Sequence, residues 1–163
     1  MFVGEGPGQN EDKQGLPFVG AAGRLLNSLL DSIGLERSDV FITNIVKCRP
    51  PENRAPHKIE IGSCNPYLQR QFQLIQPQIV CPLGSPAIAT VMQRKYAVTK
   101  IHGKPFRASQ FIILPLYHPA AALYDNRLQD VLFDDFKTLK QLLEDKTFPE
   151  TVPLLEQESG RET

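Results

Sequence analysis

The stretch Met1-Phe2-Val3-Gly4-Glu5-Gly6-Pro7-Gly8 sets the reading of this chain. Three apolar residues run directly into a loop of glycines and a proline. Such a run reads as the end of a buried strand entering a loop. Outward from it, residues 9–15 are polar, and Leu16-Pro17-Phe18 comes next. Val19, Ala22, Leu25, Leu26, Leu29, Leu30 and Ile33 then recur at helical spacing, with Gly34 placed to end the helix. Residues 40–46 are β-branched and aromatic, as a strand requires, and open into a proline-rich loop from Lys47 to Pro56. Residues 61–75 show helical spacing, and Pro66 predicts a regular helix from Asn65 with Pro66 in its first position. Residues 78–83 read as a buried strand closed by Gly84, and Ser85-Pro86 opens a helix to about Met92. Residues 111–116 form a further apolar strand ending at Tyr117-His118-Pro119, and a last helix spans 128–143 with Asp125 or Asn126 as its cap. The order β, α, β, α, β, α, β, α predicts a three-layer α/β/α sandwich with a mainly parallel four-stranded sheet. In such folds ligands bind beyond the carboxyl ends of the strands, where this sequence keeps its unusual loops.

The chain has 163 residues, 41% of them hydrophobic and 22% charged, and its 18 Lys+Arg balance 18 Asp+Glu. That length suits one domain with a real core, and the composition excludes disorder throughout. No apolar run reaches the roughly 18 residues of a membrane span, and no secretory signal pattern is visible. The zero net charge hides a distribution. Residues 1–43 sum to −3, residues 44–107 set ten basic side chains against Glu52 and Glu60 for +8, and residues 108–163 sum to −5. A cationic middle attracts polyanions if its side chains share a face; a solvated face without a partner fits the charge equally well. Residues 146–163 are polar, acidic and aperiodic, and are expected to be a disordered tail behind a folded domain of 1–145.

Gly4–Gly8 can cradle an anion with backbone N–H groups or simply turn the chain. Gln9 breaks GxGxxG and no Lys-Ser/Thr comes after it, so dinucleotide and P-loop readings lose support. Phe18 is either an aromatic plate for a planar ring or a core residue. Asn44, at a strand's carboxyl end, offers a donor and an acceptor to one base edge, or caps a turn. His118 can donate a hydrogen bond to charge developing on a leaving group, or serve structure. Cys81 lies inside a buried strand and reads as a small core residue. Cys48 and Cys64 can be two thiolate ligands, whereas a tetrathiolate site needs four.

Together these segments resemble the family 4 uracil-DNA glycosylases, the iron–sulfur branch of that superfamily. The matching residues are Gly4-Glu5-Gly6-Pro7-Gly8 with Glu11-Asp12, Gly15-Leu16-Pro17-Phe18-Val19-Gly20, Ala22-Gly23, Thr43-Asn44-Ile45-Val46-Lys47-Cys48-Arg49-Pro50-Pro51, Asn53-Arg54, Gly103-Lys104 and His118-Pro119-Ala120. The resemblance covers about residues 1–145. It implies a glycosylase-like fold and an enzyme that flips uracil out of DNA and hydrolyses its N-glycosidic bond, initiating base excision repair. A non-catalytic nucleic-acid-binding module of the same fold is the alternative, and a small nucleotide-binding α/β protein a third class. By the resemblance, Phe18 stacks on the base, Asn44 reads its O4/N3–H edge, and backbone N–H groups at Glu5 and Gly6 contact it. His118 hydrogen-bonds O2. Related families carry a water-positioning Asp where this sequence has Gly6, so Glu11 is the candidate supporting carboxylate. Lys47, Arg49, Arg54 and Lys104 are expected on the DNA, with Leu123 as the wedge of a loop from Pro119 to Arg127. Family members hold a [4Fe–4S] cluster with an N-terminal Cys-x-x-Cys pair and the counterparts of Cys48 and Cys64. That pair is not in this sequence, so two of four ligands are absent and the chain is expected to be a fragment, with a cluster-free relative as the other reading. A cytoplasmic monomer acting on uracil-containing DNA is expected.

Overall fold

Apolar segments that alternate with helices assemble into one sheet in the computed structural model, which describes residues 1–145. The strands are β1 (Phe2–Gly4), β2 (Ile42–Asn44), β3 (Ile79–Pro82), β4 (Phe106–Arg107) and β5 (Ile112–Ile113), in the order β2-β1-β3-β5-β4. β1 pairs parallel with β2 and β3, β3 pairs parallel with β5, and β4 lies antiparallel on β5. The helices are α1 (Gln9–Gln14), α2 (Ala21–Ser32), α3 (Lys58–Ile75), α4 (Ser85–Met92), α5 (Val98–Ile101) and α6 (Asn126–Glu144).

Side chains alternate across the pleat, and this makes the layers. Phe2 turns to one face, where Leu26, Leu29 and Leu30 of α2 pack with Leu132, Phe136 and Leu139 of α6. Val3 turns to the other, against Leu68 of α3 and Ala87 of α4. Burying side chains of this size contributes about 1.5–3 kcal/mol each. The result is the expected three-layer sandwich. The sheet carries one strand more than the four read from sequence, because β4 is the pair Phe106–Arg107 with no apolar run around it, whereas the equally short β5 lies inside the run 111–116. Among the described residues no helix is long and apolar enough to cross a membrane.

The chain leaves β1 for β2 on one side and returns to β3 on the other. The strand order therefore reverses beside β1, and the crevice at such a point is where open α/β sheets bind ligands.

One boundary differs from expectation. The third helix starts at Lys58, not Asn65, and Pro66 lies inside it. The Glu60 carboxylate accepts the His57 N–H at 2.7 Å and caps the earlier start. Pro66 leaves the Gly62 carbonyl without a helical donor, and both residues are exposed, so that carbonyl is open to solvent. The expectation for 146–163 lies outside the described residues.

Candidate active site

Gly4 ends β1, and two side chains meet across it. A Cβ there would stand 2.4 Å from Asn44 Oδ1 and 2.6 Å from the Phe18 ring. Only glycine lets the carboxamide and the aromatic plate approach this closely. Asn44 ends β2 directly opposite Gly4 in the ladder and is buried. Its Oδ1 is buried without a hydrogen-bond partner among the described residues. Buried polar atoms are nearly always paired, so an orphan acceptor marks a place for a donor from outside. The backbone continues past β1 through Glu5, whose carboxyl is raised above the usual range by burial. A Cβ on Gly6 would stand 2.7 Å from Val46, so this loop too packs against the strand end.

Phe18 is 6% exposed and sits at φ +53°, a backbone region that costs a bulky residue about 1–3 kcal/mol. Its carbonyl is pressed against α2, where a Cβ on Gly23 would fall 1.9 Å from it. The Arg37 guanidinium also holds this turn, donating to the carbonyls of Pro17 and Phe18. Beyond Phe18, the Glu11 carboxylate accepts the N–H groups of Val19 at 2.9 Å and Gly20 at 3.0 Å. Gly20 is the N-cap of α2, so Glu11 satisfies one donor the helix end leaves unpaired and a second just before it. Burial pushes the Glu11 pKa up, but the hydrogen bonds from Gly20, Val19 and other backbone groups outweigh it, and the net shift is downward.

His118 reaches the same crevice from the segment after β5. Its ring stacks on Phe18, with centroids 5.4 Å apart and planes 26° from parallel. Nδ1 accepts the Ala120 N–H at 3.1 Å, which leaves the proton on Nε2. Burial lowers the His118 pKa to about 4, so the ring is a neutral Nε2–H donor near pH 7.

The structure thus brings together Glu5, Gly6, Glu11, Phe18, Asn44 and His118. The basic residues expected on DNA each make hydrogen bonds within the chain. Lys47 turns inward: its ammonium donates to Asn44 O at 2.7 Å, Gln71 Oε1 at 2.8 Å and Thr43 Oγ1 at 2.9 Å. Burial lowers its pKa to about 8, with Cys64 pulling the other way. Arg54 is paired with Glu60 at 2.7 and 2.8 Å, and these hydrogen bonds, with that from His57, hold Glu60 down at about 2. Arg49 donates to Asn53 Oδ1 at 2.7 Å, and Lys104 to the Lys100 carbonyl at 2.7 Å. Leu123 is half-buried after the 3-10 turn Pro119–Ala122, while its neighbour Tyr124 is 98% exposed. Sequence reasoning missed Arg37 and Gln71, which act from 19 and 24 residues away with no local pattern. The helix-interior Gly23 was the one visible sign that a backbone approaches α2 closely.

Cys48 and Cys64 line one cavity of about 250 Å3, walled by Val46, Pro50, Ile59 and Ser63. Cys64 Sγ accepts the Lys47 N–H at 3.5 Å. Two thiols fit two corners of an iron–sulfur cluster. Among the described residues no group of three or more Cys, His, Asp and Glu side chains is placed to hold a metal ion, so these residues do not meet a four-ligand requirement. Cys81 is buried in β3, and burial pushes its thiol up to about 12, which suits a core residue.

Residues 1–145 match the model of the uracil DNA glycosylase superfamily. The type-4 uracil-DNA glycosylase of Sulfurisphaera tokodaii is 48% identical over 151 residues, 87% of this chain and 69% of that protein. The type-4 enzymes of Saccharolobus solfataricus and Archaeoglobus fulgidus are 45% and 42% identical, over 90% and 87% of this chain and 72% and 75% of their own lengths. With its family match running the length of the described fold, this chain belongs to the uracil-DNA glycosylase superfamily and, within it, to the type-4 branch.

Proposed function

We propose that the chain excises uracil from DNA by hydrolysing the N-glycosidic bond, the first step of base excision repair. The observation that carries this reading is the unpartnered Oδ1 of Asn44, buried beside the Phe18 ring across Gly4. A base must leave the stack to reach such a crevice, at a cost of a few kcal/mol. Stacking on Phe18 returns about 1–3 kcal/mol. Asn44 Oδ1 accepts from uracil N3–H, and Nδ2 donates to O4. Cytosine reverses both polarities, which would leave buried groups unpaired and supports strong discrimination.

As the C1′–N1 bond breaks, its electron pair passes into the uracil ring and the sugar becomes oxocarbenium-like. The neutral His118 donates Nε2–H to O2, where negative charge grows. Backbone N–H groups of Glu5 and Gly6 add donors to the base. Water adds its hydroxyl to C1′, and its proton ends on the released uracil by way of solvent. Glu11 is a positioning residue, because its Oε1 is occupied in fixing Val19 and Gly20 behind Phe18. Arg49 meets a backbone phosphate. Cys48 and Cys64 are the chain's own contribution to a [4Fe–4S] site of the type-4 kind, and no step of the reaction runs through them.

Uracil release from a uracil-containing single-stranded oligonucleotide tests the reading. Free uracil with an alkali-labile site is the expected result. DNA binding without release would reduce the chain to a binding module.

A further inference from the structure

Phe18 holds a backbone conformation it would not choose, and something must keep it there. Its φ is +53°, in the left-handed region that a bulky residue avoids. Two elements clamp the peptide. On one side α2 passes so close that a Cβ at Gly23 would fall 1.9 Å from the Phe18 carbonyl oxygen. On the other, Arg37 comes from the 3-10 turn Arg37–Asp39 ahead of β2. Its Nη1 donates to Phe18 O at 2.9 Å and to Asn27 Oδ1 at 3.2 Å, and its Nη2 donates to Pro17 O. The planar fork of a guanidinium matches two successive carbonyls, and the point charge of an ammonium does not.

We infer that Arg37 is a positioning residue for base recognition, acting only through Phe18. It locks the backbone that presents the ring to the flipped base, without touching base or DNA itself. The inference rests on the stacking reading of Phe18 proposed above. Displacing a positioned ring by about 1 Å is enough to lower a rate roughly 100-fold.

The experiment is a double-mutant cycle on the full chain with Arg37→Met, Phe18→Ala and the pair. It reads single-turnover uracil release at saturating enzyme, and affinity for a uracil-free oligonucleotide of the same length. Arg37→Met is expected to slow release roughly 10–100-fold and to leave uracil-free DNA affinity within about twofold. In the Phe18→Ala background it is expected to add less than about twofold, because there is no ring left to place. Arg37→Lys, which keeps the charge but not the fork, should lose most of what Met loses, and it supplies the same cycle if Arg37→Met fails to fold. Multiplicative losses in the double variant, or an unchanged rate in Arg37→Met, would overturn the role of Arg37 while leaving the stacking reading intact. An unchanged rate in Phe18→Ala would overturn the stacking reading, and the inference with it.

Discussion

Asn44 carries one buried acceptor and one donor, and exchanging the donor inverts what it reads. Asn44→Asp replaces Nδ2 with a second oxygen. Uracil release is expected to fall by at least about 100-fold, and cytosine release to become detectable on matched oligonucleotides. An unchanged base preference would remove Asn44 from recognition. For His118, burial moves the pKa from 6.5 to about 4. The ring therefore stays neutral above that value, and single-turnover release is expected to show no step near pH 6.5. Between about pH 4 and 6.5 the unfolded state binds more protons at this residue than the folded state does. His118 thus makes stability rise with pH across that window and fall on acidification, and melting curves of His118→Asn should lose that part of the slope. Glu11→Gln keeps an acceptor for the Val19 and Gly20 N–H groups, so its release rate should stay within about tenfold of the parent. A loss of the 10²–10⁴-fold typical of a general base would instead make the carboxylate itself a base.

At the scale of elements, α2 is both a core helix and a wall of the site. A glycine inside a helix ordinarily gains about 0.5–1 kcal/mol on replacement by alanine. Gly23→Ala is expected to do the reverse, destabilising by about 1–3 kcal/mol, because the new Cβ meets the Phe18 carbonyl at 1.9 Å. Thermal melting measures the sign directly. β1, β2, β3 and β5 were legible as apolar runs, α2 and α6 by their helical stripes and α4 by its Ser85-Pro86 opening, whereas the two-residue β4 and the four-residue α5 were not. α1 was not, because it buries none of its six residues and so shows no stripe. The start of α3 was misread because Pro66 is ordinarily a first-turn residue, while the true cap joins His57 to Glu60. Phe18, Asn44 and His118 were legible only through combined motifs. The supports Arg37 and Gln71 act across 19 and 24 residues of sequence, which local patterns do not span.

For the whole molecule, the charge pattern counts for less than its sum over residues 44–107 suggests. Lys47 has turned inward and Arg54 is matched by Glu60. Of the three cations in that loop, Arg49 keeps the most of its head group for a phosphate, since among the described residues it donates through Nε alone. Arg49→Ala is expected to weaken DNA binding evenly across sequences and to reduce the slope of log affinity against log salt by about 0.7–0.9. Lys47→Met should leave that slope nearly unchanged, and a salt titration of both variants separates the two.

The orphan oxygen of Asn44 also bears on the fate of the product. Free uracil carries the N3–H that this atom lacks, so the product satisfies the folded protein and has nothing comparable to bind in the unfolded chain. A ligand at 100 times its dissociation constant adds about 2.7 kcal/mol to the folded state. Uracil should therefore raise the melting temperature where cytosine does not. The atom that selects the base also holds on to it, and turnover under many cycles becomes a matter of how quickly the product is given up.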